Sequence, residues 1–313
     1  MTECERLVKE GFVPEEFLQP ETRECYVPTE MKKLWAIQID LIRQVDIICE
    51  RHNMKFYAIA GTALGAVRHH GYIPWDDDVD LAMKREDYNR FIEYAQTELP
   101  EPYFVQTPVT DPYFFSPHVW LRNSNSTGIS RGDGVTKCNN GVPIHIFPLD
   151  SFIDDEAHRK YLKRLKNQFI VALNSAHYNG INNYWLIRRV LKLICPLVIG
   201  GSRATFFKRY EKRSTEMTAA ETSPDFLGHQ NAVLRNRIRG LMSRPEVYDD
   251  VTWLPFEFYK IPVPVGWDEM LKDAYGDYMT LPPEEKRVCK HSWETDTDTP
   301  YKEYCAKKYG VRY

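Results

Sequence analysis

The chain has 313 residues, 43% of them hydrophobic, and 41 Lys and Arg against 44 Asp and Glu give a net charge of −3. That supports one large or two modest globular domains, and no apolar run reaches the length of a membrane span. The seven cysteines are scattered with no C-x-x-C pair, which argues against a disulfide framework or a zinc ribbon and for free thiols in a reducing, cytoplasmic setting. Met1 to Arg6 holds acids and no apolar stretch, so neither a secretory signal nor a transit peptide is expected. The charge is unevenly spread: residues 158–244 carry 17 Lys and Arg against 4 Asp and Glu, and the remainder 24 against 40. An acidic body therefore contains a basic segment.

Residues 1–28 lack periodicity and are broken by Pro14, Pro20 and Pro28, which reads as a surface arm. From Thr29, an expected N-cap, the apolar spacing of Leu34, Ile37, Leu41, Ile42, Val45 and Ile48 predicts an amphipathic helix to about Arg51. A short β-prone run, Lys55 to Ala60, closes at Gly61, and a helix is expected from Thr62 to about His69. A strand follows over roughly Asp77 to Met83, then a helix from about Arg85. Further strands are expected at Tyr103–Gln106, His118–Arg122 and Val142–Phe147, with a loop at Arg131 to Gly134. Residues 29–157 thus form one core. Residues 158–244 read as a basic helical insert, 245–291 as a return to the core through a strand or hairpin at Phe256–Val263 and a helix at Gly266–Tyr275, and 292–313 as a polar tail. The fold class is α/β (α+β), a mixed sheet flanked by helices.

The chemistry concentrates in Gly61 to Leu81. Gly61-Thr62 ends a strand and opens a helix, whose first N–H groups lack intrahelical partners and suit a phosphate. Sixteen residues after the Thr, Asp78-Val79-Asp80-Leu81 puts two carboxylates on one strand face. Such a pair repels unless a cation sits between, and Mg²⁺ takes one or two carboxylates plus phosphate oxygens. This is the layout of a nucleotidyltransferase-like site, with a solvated acidic loop as the plain alternative. Asp76 and Asp77 either reach a second metal, position Arg68 or solvate a turn. Arg68 suits a diphosphate clamp, with an ion pair to Asp76 or Asp77 as its rival. Lys84 and Arg85 either meet a phosphate or start a helix, Arg122 has the same two readings, His69 and His70 read as structural, and His291 is a substrate candidate.

Gly61 to Leu81 resembles the signature of the LicD family, Gly-Thr-x-Leu-Gly-Ala-x-Arg-His-x-Gly-x-Ile-Pro-Trp-Asp-Asp-Asp-x-Asp, and the resemblance resumes at Ile146 to Asp150 and at Leu271 to Pro283. It implies a nucleotidyltransferase-fold enzyme, related to fukutin and fukutin-related protein, that moves phosphocholine from CDP-choline to a cell-surface glycan such as teichoic acid or lipopolysaccharide. One departure stands out. Where the family reads Ile-Asp-Ile-Phe-Pro-Leu-Asp, this chain reads Ile144-His145-Ile146-Phe147-Pro148-Leu149-Asp150, so His145 replaces the third carboxylate. His145 then accepts a proton, ligates a softer metal such as Mn²⁺ or Zn²⁺, or is a core histidine in an enzyme that is impaired or uses Asp150.

The expected reaction is metal-dependent transfer of an alcohol phosphate from a CDP-linked donor to a sugar hydroxyl, releasing CMP. Asp78 and Asp80 hold Mg²⁺, with Mn²⁺ as the alternative; Gly61, Thr62 and Arg68 meet the diphosphate, and His145 or Asp150 takes the acceptor proton. Nucleotide transfer from CTP or ATP, or a catalytically inactive binding module, are the rival readings. The acceptor is a glycan or lipid-linked glycan. Trp185 to Ile199, apolar but cationic, is expected either to lie on an anionic membrane at its inner face or to pack as a solvated helical subdomain; no nucleic-acid reader motif occurs.

Overall fold

Thr2 and Glu5 close a capping box on the first helix, α1 (Glu3–Lys9), so the segment expected to be an arm is folded. The computed structural model describes residues 1–130, 136–153, 156–176, 185–228, 242–289 and 293–313. The Arg131–Gly134 loop and His291 lie outside the described residues. Cys4 and Leu7 of α1 are buried in one cluster with Ala36 and Ile37, and a hairpin of β1 (Glu21–Thr22) and β2 (Tyr26–Val27) follows. A seven-residue helix spans too few turns to show a period, which is why the sequence reads as an arm.

Helix α2 (Thr29–Arg51) buries the expected stripe, including Leu34, Ile37, Leu41, Ile42, Val45 and Ile48, together with Trp35. Its N-cap is Pro28, not Thr29. Next come β3 (Tyr57–Ala58), α3 (Ala60–His69), β4 (Asp80–Lys84) and α4 (Arg85–Glu98). Helix α3 begins two residues before the expected start, with Gly61 inside its first turn, and β4 begins at Asp80, so Asp78 precedes the strand. After β5 (Tyr103–Gln106), β6 (Val119–Asn123) and β7 (Thr127–Ile129), the chain enters β8 (Val142–Phe152), longer than predicted.

Strand β8 organises the sheet. It pairs in parallel with β4 and antiparallel with β6 along its first half, and β3 and β5 extend the sheet by antiparallel pairing with β4 and β6. Past the core the chain forms α5 (Glu156–Ala176), α6 (Trp185–Ile199) and α7 (Arg203–Ala220), whose Phe169, Cys195, Ile199, Phe206 and Tyr210 share a small core with Phe115. The stretch expected to be purely helical also supplies β9 (Phe226–Gly228) and β10 (Met242–Ser243), which join the main sheet beside the end of β8. Two- and three-residue strands leave no alternation to read.

The hairpin of β11 (Val251–Phe256) and β12 (Tyr259–Pro264) turns at Glu257, and α8 (Trp267–Tyr275) stops at Gly276, φ 69°. The tail is ordered as β13 (Glu294–Asp296), paired with β7, and α9 (Tyr301–Tyr309). The result is a mixed α/β sheet flanked by helices, with the acidic motif where β4 begins. Among the described residues, no helix is long and apolar enough to cross a membrane.

Candidate active site

Asp80 is fixed at both backbone polar groups by the connection entering α3. Ile59 donates its N–H to the Asp80 carbonyl at 3.0 Å, and the Asp80 N–H donates to the Thr62 hydroxyl at 2.9 Å. Thr62 is buried. Its side chain therefore ties strand to helix, a role that the sequence assigned to phosphate contact. Ala60, at φ 50°, occupies the left-handed region at this junction, a conformation costly to a residue with a Cβ and most often retained where function demands it. Gly61 follows, and a Cβ there would stand 2.7 Å from Asp76 Oδ2; only glycine lets that carboxylate rest over the start of α3.

The loop before β4 is held by α2. Trp35, stacked on Tyr72 with ring centroids 4.6 Å apart, donates its Nε1–H to the Asp76 carbonyl at 2.9 Å. Gln38 does the same one residue on, its Nε2 donating to the Asp77 carbonyl at 2.9 Å. The His145 N–H donates to the Val79 carbonyl at 2.9 Å, extending the β4–β8 pairing back towards Asp78.

Asp80 and His145 are register partners on parallel strands, and His145 Nδ1 lies 3.0 Å from Asp80 Oδ1. Ligand atoms of Asp78, Asp80 and His145 all fall within 4.8 Å of one another, as do those of Asp76, Asp77 and Asp78. Two carboxylates and an imidazole at that spacing suit one divalent cation, and the donor set of oxygen plus one nitrogen fits Mn²⁺ as well as Mg²⁺. The His145 side chain is 12% exposed, and its Nε2 is buried without a hydrogen-bond partner. Trp120, 4.5 Å away between centroids, His118 at 5.5 Å, Phe147 at 6.1 Å and Trp293 at 6.3 Å surround the ring.

Tyr275, the last residue of α8, faces the same acids. Although Tyr275 is 45% exposed, desolvation of its hydroxyl first, then the charges of Asp80, Asp76 and Asp78, push its phenol pKa above the usual value. Arg68 donates through Nη1 to the Tyr278 carbonyl at 2.7 Å, on the segment after α8, and through Nε to its α3 neighbour His69 at 2.9 Å. His69 in turn approaches Glu24 at 3.2 Å, a structural setting as expected.

Asp150 is not brought to this group. It lies five residues along β8 from His145, buried, where Arg85 grips both of its oxygens at 2.6 and 2.8 Å. Arg85 also binds Glu211 at 2.6 Å, and Thr218 donates to Asp150. A carboxylate held in this way is unavailable to an acceptor hydroxyl, and Arg85 is the reason. Sequence reasoning missed Trp120, Trp293, Tyr275, Trp35 and Gln38. Trp120 is opposite His145 in the β6–β8 register, so only knowledge of strand pairing could have found it.

Residues 53–169 match the family described as LicD/FKTN/FKRP, nucleotidyltransferase domain. Over 285 residues, 84% of this chain and 98% of the relative, the sequence is 26% identical to the lipopolysaccharide cholinephosphotransferase LicD of Haemophilus influenzae. The chain is therefore similar to the LicD family over a stretch that includes its acidic motif. Shorter matches, 39% identical over 66 residues and 43% over 47, are to uncharacterized proteins of Rickettsia typhi and Rickettsia prowazekii, covering 21% and 15% of this chain. The LicD match spans the Asp78, Asp80 and His145 positions.

Proposed function

We propose that this protein is a metal-dependent phosphotransferase that moves phosphocholine from CDP-choline to a hydroxyl of a cell-surface glycan precursor, releasing CMP. The observation that carries the proposal is the meeting of Asp78, Asp80 and His145 within 4.8 Å, beside the first turn of α3. The relative from Haemophilus influenzae, named for cholinephosphate transfer to lipopolysaccharide, supplies the substrate class.

In this reading Asp78 and Asp80 hold Mg²⁺ or Mn²⁺, with His145 in the position of the third carboxylate. The cation, when bound, offsets charge building on the diphosphate as the bond to CMP breaks. The chain does the positioning. The N–H groups of the first turn of α3, where the Asp76 carboxylate now rests, are the donors offered to the diphosphate, and Arg68, with guanidinium N–H groups beyond those spent on Tyr278 and His69, adds a cation. Trp35 and Gln38 set the loop so that its carboxylates converge. The acceptor oxygen attacks the phosphorus bearing choline, forming one P–O bond as the bond to the CMP oxygen breaks, and the hydroxyl proton leaves to water.

Aromatic groups favour choline over other alcohols. A trimethylammonium cannot donate a hydrogen bond and is held instead by ring faces and nearby negative charge. Trp293 stands against His145 and Tyr275 faces Asp76, Asp78 and Asp80, so ring faces and negative charge meet at the cluster. Thermal shift with a panel of CDP-choline, CDP-ribitol and CDP-glycerol, each with Mg²⁺ or Mn²⁺, tests the donor. Stabilisation by CDP-choline alone supports it; a larger shift with another member of the panel, or with CTP, replaces it.

A further inference from the structure

Helix α6 turns apolar side chains outward. Val190, Leu193, Ile194, Leu197 and Val198 are all exposed, Leu193 to 76% and Leu197 to 82%, while Cys195 and Ile199 on the other side are buried in the α5–α7 core. The exposed set falls at i, i+3, i+4, i+7 and i+8, so it forms one continuous stripe. Large apolar side chains grouped in this way on a surface mark an interaction site.

What surrounds the stripe identifies its partner. Leu197 and Val198 share a cavity of about 370 Å³ with Arg164, Arg209 and Arg213, all exposed. Arg209 also caps α6 by donating to the Ile199 carbonyl. From residue 157 to residue 210 the sequence has 11 Lys and Arg and no Asp or Glu. A second copy of this chain would bring the same cations face to face, which like-charge repulsion disfavours. Nucleic acid would match the charge and leave the leucines unused.

We infer that α6 and the arginine-lined cavity beside it form a docking surface for an anionic lipid bilayer, the leucine stripe entering the acyl boundary and Arg164 and Arg213 meeting headgroup phosphates. The surface is separate from the acidic cluster, and the inference stands or falls independently of the donor assignment. It gives the enzyme a means of meeting an acceptor assembled on lipid.

The test is co-sedimentation of the full chain with vesicles of phosphatidylcholine alone or of phosphatidylcholine with phosphatidylglycerol. Binding to the anionic vesicles only, weakening as salt rises, is expected. Leu193→Asp with Leu197→Asp should abolish it, and Arg164→Gln or Arg213→Gln should each weaken it about fivefold. Circular dichroism and thermal melting confirm that the variants fold, and release of CMP with a soluble acceptor should be unchanged in the leucine pair. Absence of binding to anionic vesicles, equal binding to neutral ones, or retention of binding in the folded Leu193→Asp, Leu197→Asp variant would each overturn the inference. Binding to duplex DNA that competes with vesicles and survives the leucine changes would overturn it in favour of a polyanion site.

Discussion

His145 Nδ1 stands 3.0 Å from Asp80 Oδ1 because the two residues are register partners on adjacent parallel strands. Parallel strands about 4.8 Å apart fix the distance between such side chains without help from any loop. The third position of the acidic site is therefore built into the sheet, and in this chain a nitrogen occupies it.

Replacing Asp80 or Asp78 by Asn removes one negative ligand while keeping shape. Release of CMP from CDP-choline should fall by at least ~10²-fold in each variant. Circular dichroism should show folded protein, since each change relieves repulsion in a cluster that also contains Asp76 and Asp77.

An imidazole at the third position shifts preference towards Mn²⁺ relative to a carboxylate. His145→Asp should move the Mg²⁺ to Mn²⁺ activity ratio in favour of Mg²⁺, and His145→Ala should weaken metal affinity measured by calorimetry. If His145 instead serves only as proton acceptor, metal affinity will be unchanged in His145→Ala while the rate falls.

Trp293 and Tyr275 should affect donor choice more than chemistry. Trp293→Leu is expected to raise KM for CDP-choline about tenfold, with kcat little changed and with no comparable effect on CDP-glycerol. Equal loss with both donors would assign the ring a packing role.

Much of this site was legible beforehand and some was not. Asp78, Asp80 and the Gly61-Thr62 turn are close in sequence, and that spacing brings them together, although Asp78 stands before β4 and not on the strand face that the period of two implies. The placement of Asp150 was not legible, because its partners Arg85 and Glu211 come from α4 and α7, 65 and 61 positions away. Trp120 and Trp293 escaped for the same reason: strand register and the return of the tail decide where they stand. The fold class followed from alternating helix and strand patterns, whereas α1, β9 and β10 are too short to carry a period.

Arg85 serves two carboxylates, so one of them is under-compensated. Burial, reinforced by the Asp150 charge and opposed by Arg85, raises the Glu211 pKa from 4.5 to about 7. A raised folded pKa gives stability that is complete below pH 4.5 and is lost as pH rises towards 7. Glu211→Gln should flatten that stretch of a stability curve measured by urea denaturation, by on the order of 1–3 kcal/mol. Asp150→Asn should lower Tm, since it breaks a buried pair, with kcat preserved.

The most direct test of the central claim is transfer itself: purified protein, CDP-choline, a glycan acceptor and Mn²⁺ or Mg²⁺, with CMP and phosphocholine-modified glycan measured together. One CMP per modified acceptor is expected, abolished by EDTA, restored by either metal and absent in Asp80→Asn. Pyrophosphate released from CTP in place of CMP from CDP-choline, or transfer that survives EDTA and the loss of Asp80, would contradict it.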